Sequence, residues 1–485
     1  MSRRLLFPFP TRPIIFQSML RKRTYILLAA LAAVSTAGFA GSRKARPLAR
    51  PALGFVAKVV CSDVFVGGAT AAQALSDLPD EPIARLVRTQ VDEQDRRVTA
   101  SVPFVASRSA AYRDGFGCVL EPADSSLGTS PGLVRVTARG SLDPALWPDG
   151  ERVEPGAAAG VDRTRLNAAI ADAFAEPDPA RPRRTRAIVI VQRGRIVGER
   201  YADGYSAAHR FGGWSMTKSV TNALVGILTA DGSLNVDANG LRPEWRAGDD
   251  PRRAITLDDL LRMSSGLAFD ESYTPSGGAT RMLFDAADAA AVAAASPLVH
   301  APGTHWSYSS ATTNIVSSLI RDALGSDREY HRFPRRALFD RIGMSSAVIE
   351  PDPSGTFVGS SFMYATARDW ARFGLLFLRR GEWNGERILP DGWVEYSTRP
   401  TPGAPLGEYG AHWWLNAGAS EDDTRRTWPD LPRDIYWASG FQGQYVVVVP
   451  SHDLVVVRLG VTADDRAWSL GDFLRAVIAS FEASG

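Results

Sequence analysis

Cysteine and histidine are scarce in this 485-residue chain, with two of the first and six of the second. No Cys-x-x-Cys and no His-Glu-x-x-His occurs and the histidines are scattered, so a metal site has no support and no cofactor is expected. Neither sign of charge dominates: 55 basic against 53 acidic residues leave a net charge of +2, and nothing global points to nucleic acid or an acidic polymer as a partner. The nucleophile elbow Gly-x-Ser-x-Gly is missing as well. Gly213-Trp-Ser-Met-Thr217 lacks its closing glycine, which weighs against a Ser-His-Asp hydrolase.

What is present is an ordinary globular composition, 45% hydrophobic and 22% charged, enough for one large core and a second, smaller one. Arg21, Lys22 and Arg23 precede an apolar, Ala/Leu-rich run, residues 24–41, with small residues near Gly38 and Ala40. The basic flank and that cleavage-like end read as an export signal; at about 17 apolar residues the run also has the length of a retained membrane anchor. Residues 1–41 are therefore assigned to export or anchoring, and the protein is expected in the periplasm or on a membrane facing an oxidising compartment. There Cys61 and Cys118 would form a disulfide; two separate reduced core cysteines are the alternative.

Residues 53–150 read as a small mixed N-terminal domain, with strands at 54–60, 97–105 and 132–137 and a helix near 80–91. A linker rich in Gly, Pro and Ala at 151–160 separates it from a second unit, 160–485. That unit opens with a helix pattern at 163–175 and a hairpin, 187–192 and 195–201, turning at Arg193-Gly194. It closes with an apolar hairpin, 444–449 and 454–459, and a helix at 468–481. Strands at both ends with helices between predict one antiparallel sheet built from the two ends of the unit, flanked by helices and a helical lobe, an α+β type of the α/β class. In the lobe, Thr256 to Asp259 has capping-box form, and 365–378 is amphipathic with the helix period.

Three stretches carry chemistry. In the first, 211–231, Val220, Leu224, Ile227 and Leu228 fall on one helix face, and Ser215 and Lys218 stand three apart at its mouth. A hydroxyl is a weak nucleophile at neutral pH, while a lysine in a partly apolar site loses solvation and can accept its proton. The plain alternative makes Ser215 an N-cap and Lys218 a solvated first-turn residue. The second stretch, Trp306 to Asn314, sets Tyr308 in a loop just before an apolar helix, where its phenol can share a proton with Lys218 or simply pack with its hydroxyl tied to backbone. The third, Trp437 to Gln444, brings Gly440, Phe441 and Gly443 to the start of a strand, where an inward amide could help to hold an oxyanion.

In this order and spacing, Ser215-x-x-Lys218, Tyr308-Ser-Ser310 and the Gly-rich late segment resemble the penicillin-recognising serine hydrolases. The phrases GWSMTKSVTNALVGIL, WSYSSATTNIVSSLI, ATARDWARFGLLFL and SGFQGQYVVVVP resemble most the branch of class C β-lactamases, bacterial esterases and 6-aminohexanoate-dimer hydrolases, over roughly 160–482. The resemblance implies a β-lactamase/transpeptidase-like fold, with Ser215 as acylated nucleophile, Lys218 as base, Tyr308 as proton relay and the amides of Ser215 and Phe441 as oxyanion hole. Gly440, Gly443, Ser310 and Trp214 would line the substrate. Two departures stand out: Ser310 replaces the asparagine of Tyr-x-Asn, and no lysine stands before Gln444 where the lactamase pattern has Lys-Thr-Gly. That lysine would attract the carboxylate of a lactam or D-alanyl peptide. The reading is thus an acyl-enzyme hydrolase of small esters or linear amides, with aromatic Trp214, Trp306 and Trp437 near the cleft and Arg425, Arg426 or Arg433 as substitute cations. A β-lactamase or D-alanyl peptidase, and a sensor that does not turn over, are the rivals.

Overall fold

The computed structural model describes residues 40–79, 86–122, 145–154, 160–420 and 425–481. The strand expected at 132–137 and nearly all of the apolar run 24–41 lie outside them. Helix α1, Ala40–Ser62, occupies the region read as a strand at 54–60. Leu53, Val56, Ala57 and Val60 are all buried at helical spacing. The valines and aromatic of Gly-Phe-Val-Ala-Lys-Val-Val suggest a strand, and packing of one helix face overrides that local preference. The described end of the helix expected near 80–91 is likewise a strand, β1, Arg88–Asp92. It opens an antiparallel meander with β2, Arg97–Val102, β3, Ala106–Arg113, and β4, Gly117–Leu120. Cys61 of α1 is bonded to Cys118 of β4, with their Cα atoms 6.0 Å apart.

The second unit begins with α2, Arg163–Phe174, capped by Asp162. The hairpin β5, Thr185–Gln192, and β6, Arg195–Tyr201, follows as read. Strand β7, Arg210–Gly212, leads through a short 3-10 turn, Trp214–Met216, into α3, Thr217–Ala230. The lobe contains α4, Leu257–Leu261, with the expected capping box at Thr256, then α5, Gly278–Phe284, and α6, Ser310–Leu324. Strand β8, Met363–Thr366, pairs with β7 and runs into α7, Ala367–Leu378. The chain returns through β9, Trp414–Leu415, β10, Tyr436–Gly440, β11, Gln444–Val449, and β12, Leu454–Gly460, and ends in α8, Leu470–Ala479.

These strands form one six-stranded antiparallel sheet in the order β9-β10-β11-β12-β5-β6, so the two ends of the unit meet at β12 against β5. Its central strands carry near-continuous apolar runs, Ala187–Val191, Tyr445–Val449 and Leu454–Val457, because both faces are covered. Val455, Val457 and Val446 join the main core with α7, whereas Leu454, Val456 and Val447 join a second cluster with Leu166 of α2 and Leu474 of α8. The main core also takes in Leu53 and Val60 of α1, so the N-terminal unit and the lobe share one hydrophobic cluster.

Candidate active site

The site forms where the loop between β7 and α3 passes the ends of α6 and β10. Gly213 donates its amide to the Met363 carbonyl at 2.7 Å, and Trp214 takes a left-handed backbone (φ 48°), so the chain turns sharply just before Ser215. A Cβ on Gly440 would lie 2.1 Å from the Gly213 carbonyl oxygen; glycine lets β10 close onto that turn, bringing Phe441 5.3 Å from Trp214, ring to ring. Gly443 has φ 83° and closes the β10–β11 turn against Arg458, away from the cleft side chains. Trp437 lies behind Trp414, its cross-strand neighbour, at 6.4 Å. It is buried in the second cluster beside Trp428, so core packing claims it.

Lys218, the second residue of α3, is almost wholly buried at 1% exposure. Its Nζ donates to Ser215 Oγ at 3.0 Å, Ser310 Oγ at 2.9 Å and the Ser360 carbonyl at 3.0 Å. Burial pushes its pKa down to about 8, with the Glu271 carboxylate opposing the fall. Tyr308 lies just before the Ser309 N-cap of α6; its ring sits 4.8 Å from Nζ, with the Ser215 side chain beside its phenol. Burial, Tyr409 and Glu271 raise the phenol pKa well above its usual value, so it stays protonated. Ser215, Lys218, Tyr308 and Ser310 therefore meet in one cluster.

Sequence reading missed Glu271. It sits in the loop before α5 and accepts from the Ser310 amide at 2.7 Å and the Ser310 hydroxyl at 2.5 Å, which links it to Lys218 through one side chain. Burial raises its pKa, with Lys218 opposing. Tyr273, two residues on, stacks on Phe441 at 5.4 Å, and burial together with the Glu271 charge pushes its phenol pKa up. The only signal in the sequence was a carboxylate flanked by aromatics, Phe269-Asp-Glu-Ser-Tyr273, after the Met263-Ser-Ser-Gly266 turn.

Aromatic rings wall the cluster. On one side run Phe55, Trp214, Phe441 and Tyr273, each half-buried. On the other, Tyr308 stacks on Trp414 at 5.5 Å and meets Tyr409 edge-on at 5.8 Å, with Trp306 behind. His412 is close in space but turned away: Nδ1 lies 3.0 Å from the Lys218 carbonyl and Nε2 3.1 Å from Thr313 Oγ1. Burial and the lysine charge push its pKa down to about 3, so it is neutral and serves as a strut for α3. Of the candidate cations, Arg426 bonds the Pro429 carbonyl and Arg433 the Ser420 carbonyl at 2.7 Å, both within their own loop. Among the described residues, no group of three His, Cys, Asp or Glu side chains is placed to hold a metal ion.

The chain is similar to several known proteins. The 6-aminohexanoate-dimer hydrolase of Paenarthrobacter ureafaciens is 24% identical over 314 residues, 59% of this chain and 75% of that one. A family VIII carboxylesterase superposes with a TM-score of 0.52 at 15% identity, over 71% of this chain and 99% of its own. EstCE1, a hydrolase with promiscuous acyltransferase activity, gives 0.52 at 14% identity over 66% and 97%. At such identities the structural likenesses speak for the β-lactamase/transpeptidase-like fold. The Beta-lactamase family model matches residues 170–467, more than half of the sequence and all of the residues that meet around Lys218, and the chain belongs to that family of hydrolases.

Proposed function

We propose that the protein hydrolyses small uncharged esters or linear amides through an acyl-enzyme on Ser215. The observation that carries this reading is the buried Lys218 amine 3.0 Å from Ser215 Oγ, with a pKa lowered to about 8. A lysine so poised is partly neutral near pH 8 and takes the hydroxyl proton as Oγ attacks the carbonyl. The amides of Ser215 and Phe441 hold the oxyanion, with Gly440 setting the close approach. Tyr308, protonated and beside Ser215, passes a proton to the departing alcohol or amine and is reprotonated by the Lys218 ammonium. Water then attacks the acyl-enzyme with the same groups working in reverse.

The substrate class follows from the walls. Aromatic rings on both sides suit an apolar, uncharged substrate, and β10 carries no lysine to attract a carboxylate. The likeness to proteins named as a dimer hydrolase and a carboxylesterase supports linear amides and esters as the bonds cleaved. Export to an oxidising compartment, by a signal or an anchor in residues 24–41, belongs to this proposal and is supported by the Cys61–Cys118 disulfide. The test is parallel kinetics on p-nitrophenyl butyrate, a linear amide and a cephalosporin, with Ser215→Ala as control and mass spectrometry of the acylated peptide. Ester turnover abolished in Ser215→Ala, with the cephalosporin poor, is expected. A cephalosporin preferred by kcat/KM, or an acyl group found elsewhere, would overturn the reading.

A further inference from the structure

The family match begins at residue 170, so α1 and the meander it packs on lie outside it. Yet α1 reaches the site. Phe55 stacks on Trp214 with ring centroids 6.1 Å apart and planes 21° from parallel, and Trp214 immediately precedes Ser215. Phe55 also meets Phe284 of α5 edge-on at 5.0 Å. It is half-buried, as are Trp214, Phe441 and Tyr273, so the four rings form a continuous surface with open edges beside the nucleophile.

The placement of that ring is built in. A Cβ on Gly54 would lie 1.9 Å from the Phe284 carbonyl oxygen, so glycine is what allows α1 to press against α5 at this turn. One turn earlier Arg50 reaches Asp285 at 3.1 Å. One turn later Lys58 forms an ion pair with Glu350, a carboxylate that also accepts from Ser62 Oγ at 2.9 Å and the Cys118 amide at 2.6 Å. The disulfide holds the C-terminal end. A helix fixed on both sides of one half-exposed aromatic has the form of a preorganised wall.

We propose that α1 is a specificity element of this enzyme: through Phe55, the N-terminal unit supplies one wall of the cleft, and that wall selects substrates with an extended apolar acyl chain. This rests on the reading of Ser215 as nucleophile. The acyl side is assigned to the Phe55 wall because Tyr308, which serves the leaving group, belongs to the opposite ring cluster with Trp414 and Tyr409.

The experiment compares p-nitrophenyl hexanoate with p-nitrophenyl acetate, which share a leaving group, on the full chain and on Phe55→Ala and Phe55→Leu. The ratio of the two kcat/KM values is expected to fall about 10-fold in Phe55→Ala, and less in Phe55→Leu, as fits loss of one apolar contact along the chain. A ratio unchanged in both variants, or a uniform loss on both esters, would overturn the inference. Labelling of Ser215 by methyl and hexyl fluorophosphonates gives the same ratio without turnover. Wild-type protein unlabelled at Ser215 would refute the nucleophile and this inference with it. Labelling at Ser215 with a chain-length preference indifferent to Phe55 would refute this inference alone.

Discussion

Replacing Glu271 by glutamine tests the charge wiring of the site with little change of shape. The glutamine carbonyl can still accept from Ser310, so the contact that orients Ser310 survives while the negative charge is lost. Two hydrogen bonds in series, 2.9 Å from Lys218 Nζ to Ser310 Oγ and 2.5 Å from there to the carboxylate, keep the two charges within about 5 Å. At an effective dielectric of about 20 that separation is worth at most about 3 kcal/mol, or about two pH units of support for the ammonium. The sign is fixed: Glu271 raises the Lys218 pKa, so without it the amine deprotonates at lower pH. The rising limb of kcat/KM against pH, expected near pH 8 in the wild type, should move down by one to two units, roughly, and activity at pH 6.5 relative to pH 9 should rise about 10-fold. The pH dependence of fluorophosphonate labelling at Ser215 should move with it. A limb that stays near pH 8, or moves up, would refute the argument that this carboxylate sets the charge of the base.

Three further predictions concern the base and the N-terminal unit. Lys218→Arg should lose at least about 10²-fold in kcat/KM, nearly as much as Lys218→Ala, because a guanidinium does not deprotonate; a value within a few-fold of wild type would make the lysine merely electrostatic. Glu350→Gln should destabilise by about 3–5 kcal/mol in denaturant unfolding, since it leaves a buried Lys58 charge without its partner, and the double change Lys58→Met with Glu350→Leu should recover most of that; a single change costing under about 1 kcal/mol would show that the pair is not what holds α1. Protein unfolded without reductant should titrate no thiols, and Cys61→Ser with Cys118→Ser should cost about 2–4 kcal/mol; two free thiols from the native compartment would refute the pairing.

The parts of the fold legible in the sequence are those where the local pattern and the packing agree. Both apolar hairpins of the central sheet, the Thr256 capping box and the amphipathic α7 lie where periodicity and turn residues put them. The Ser215, Lys218 and Tyr308 cluster was legible because two of its members share a helix turn and the third marks a helix entrance. Residues 54–60 misled because their valines favour a strand, and only the burial of Leu53, Val56, Ala57 and Val60 against the meander and the lobe makes them helical. Glu271 was hidden for another reason: its partner Ser310 is 39 residues away, and a lone carboxylate in a loop carries no period to read. The neighbours of Trp437 in sequence suggest the cleft, but its ring is buried behind Trp414 in the second cluster, while Gly440, three residues on, reaches the site through its backbone.

The N-terminal unit also reaches Ser215 along a second route, through a side-chain hydrogen bond and the pairing of two strands. Asp63, just past α1, accepts from the Tyr364 hydroxyl at 2.9 Å, and Tyr364 lies on β8, paired with Gly212 of β7. The next residue of β7's loop, Gly213, donates to Met363 of the same strand, and Trp214 and Ser215 follow at once. Burial pushes the Asp63 carboxyl up to about 7, and the hydrogen bond from Tyr364 opposes that rise. Thus α1 touches the catalytic turn from two directions, by a ring stacked on Trp214 and by a hydrogen bond to the strand that positions Gly213. A serine carried on a sharp left-handed turn must be held to sub-ångström precision to meet Lys218, and such a turn does not hold itself. In the function proposed above, the N-terminal unit would brace the turn that carries Ser215 while it narrows the choice of substrate, and both roles would depend on the helix that bears the buried Lys58–Glu350 pair.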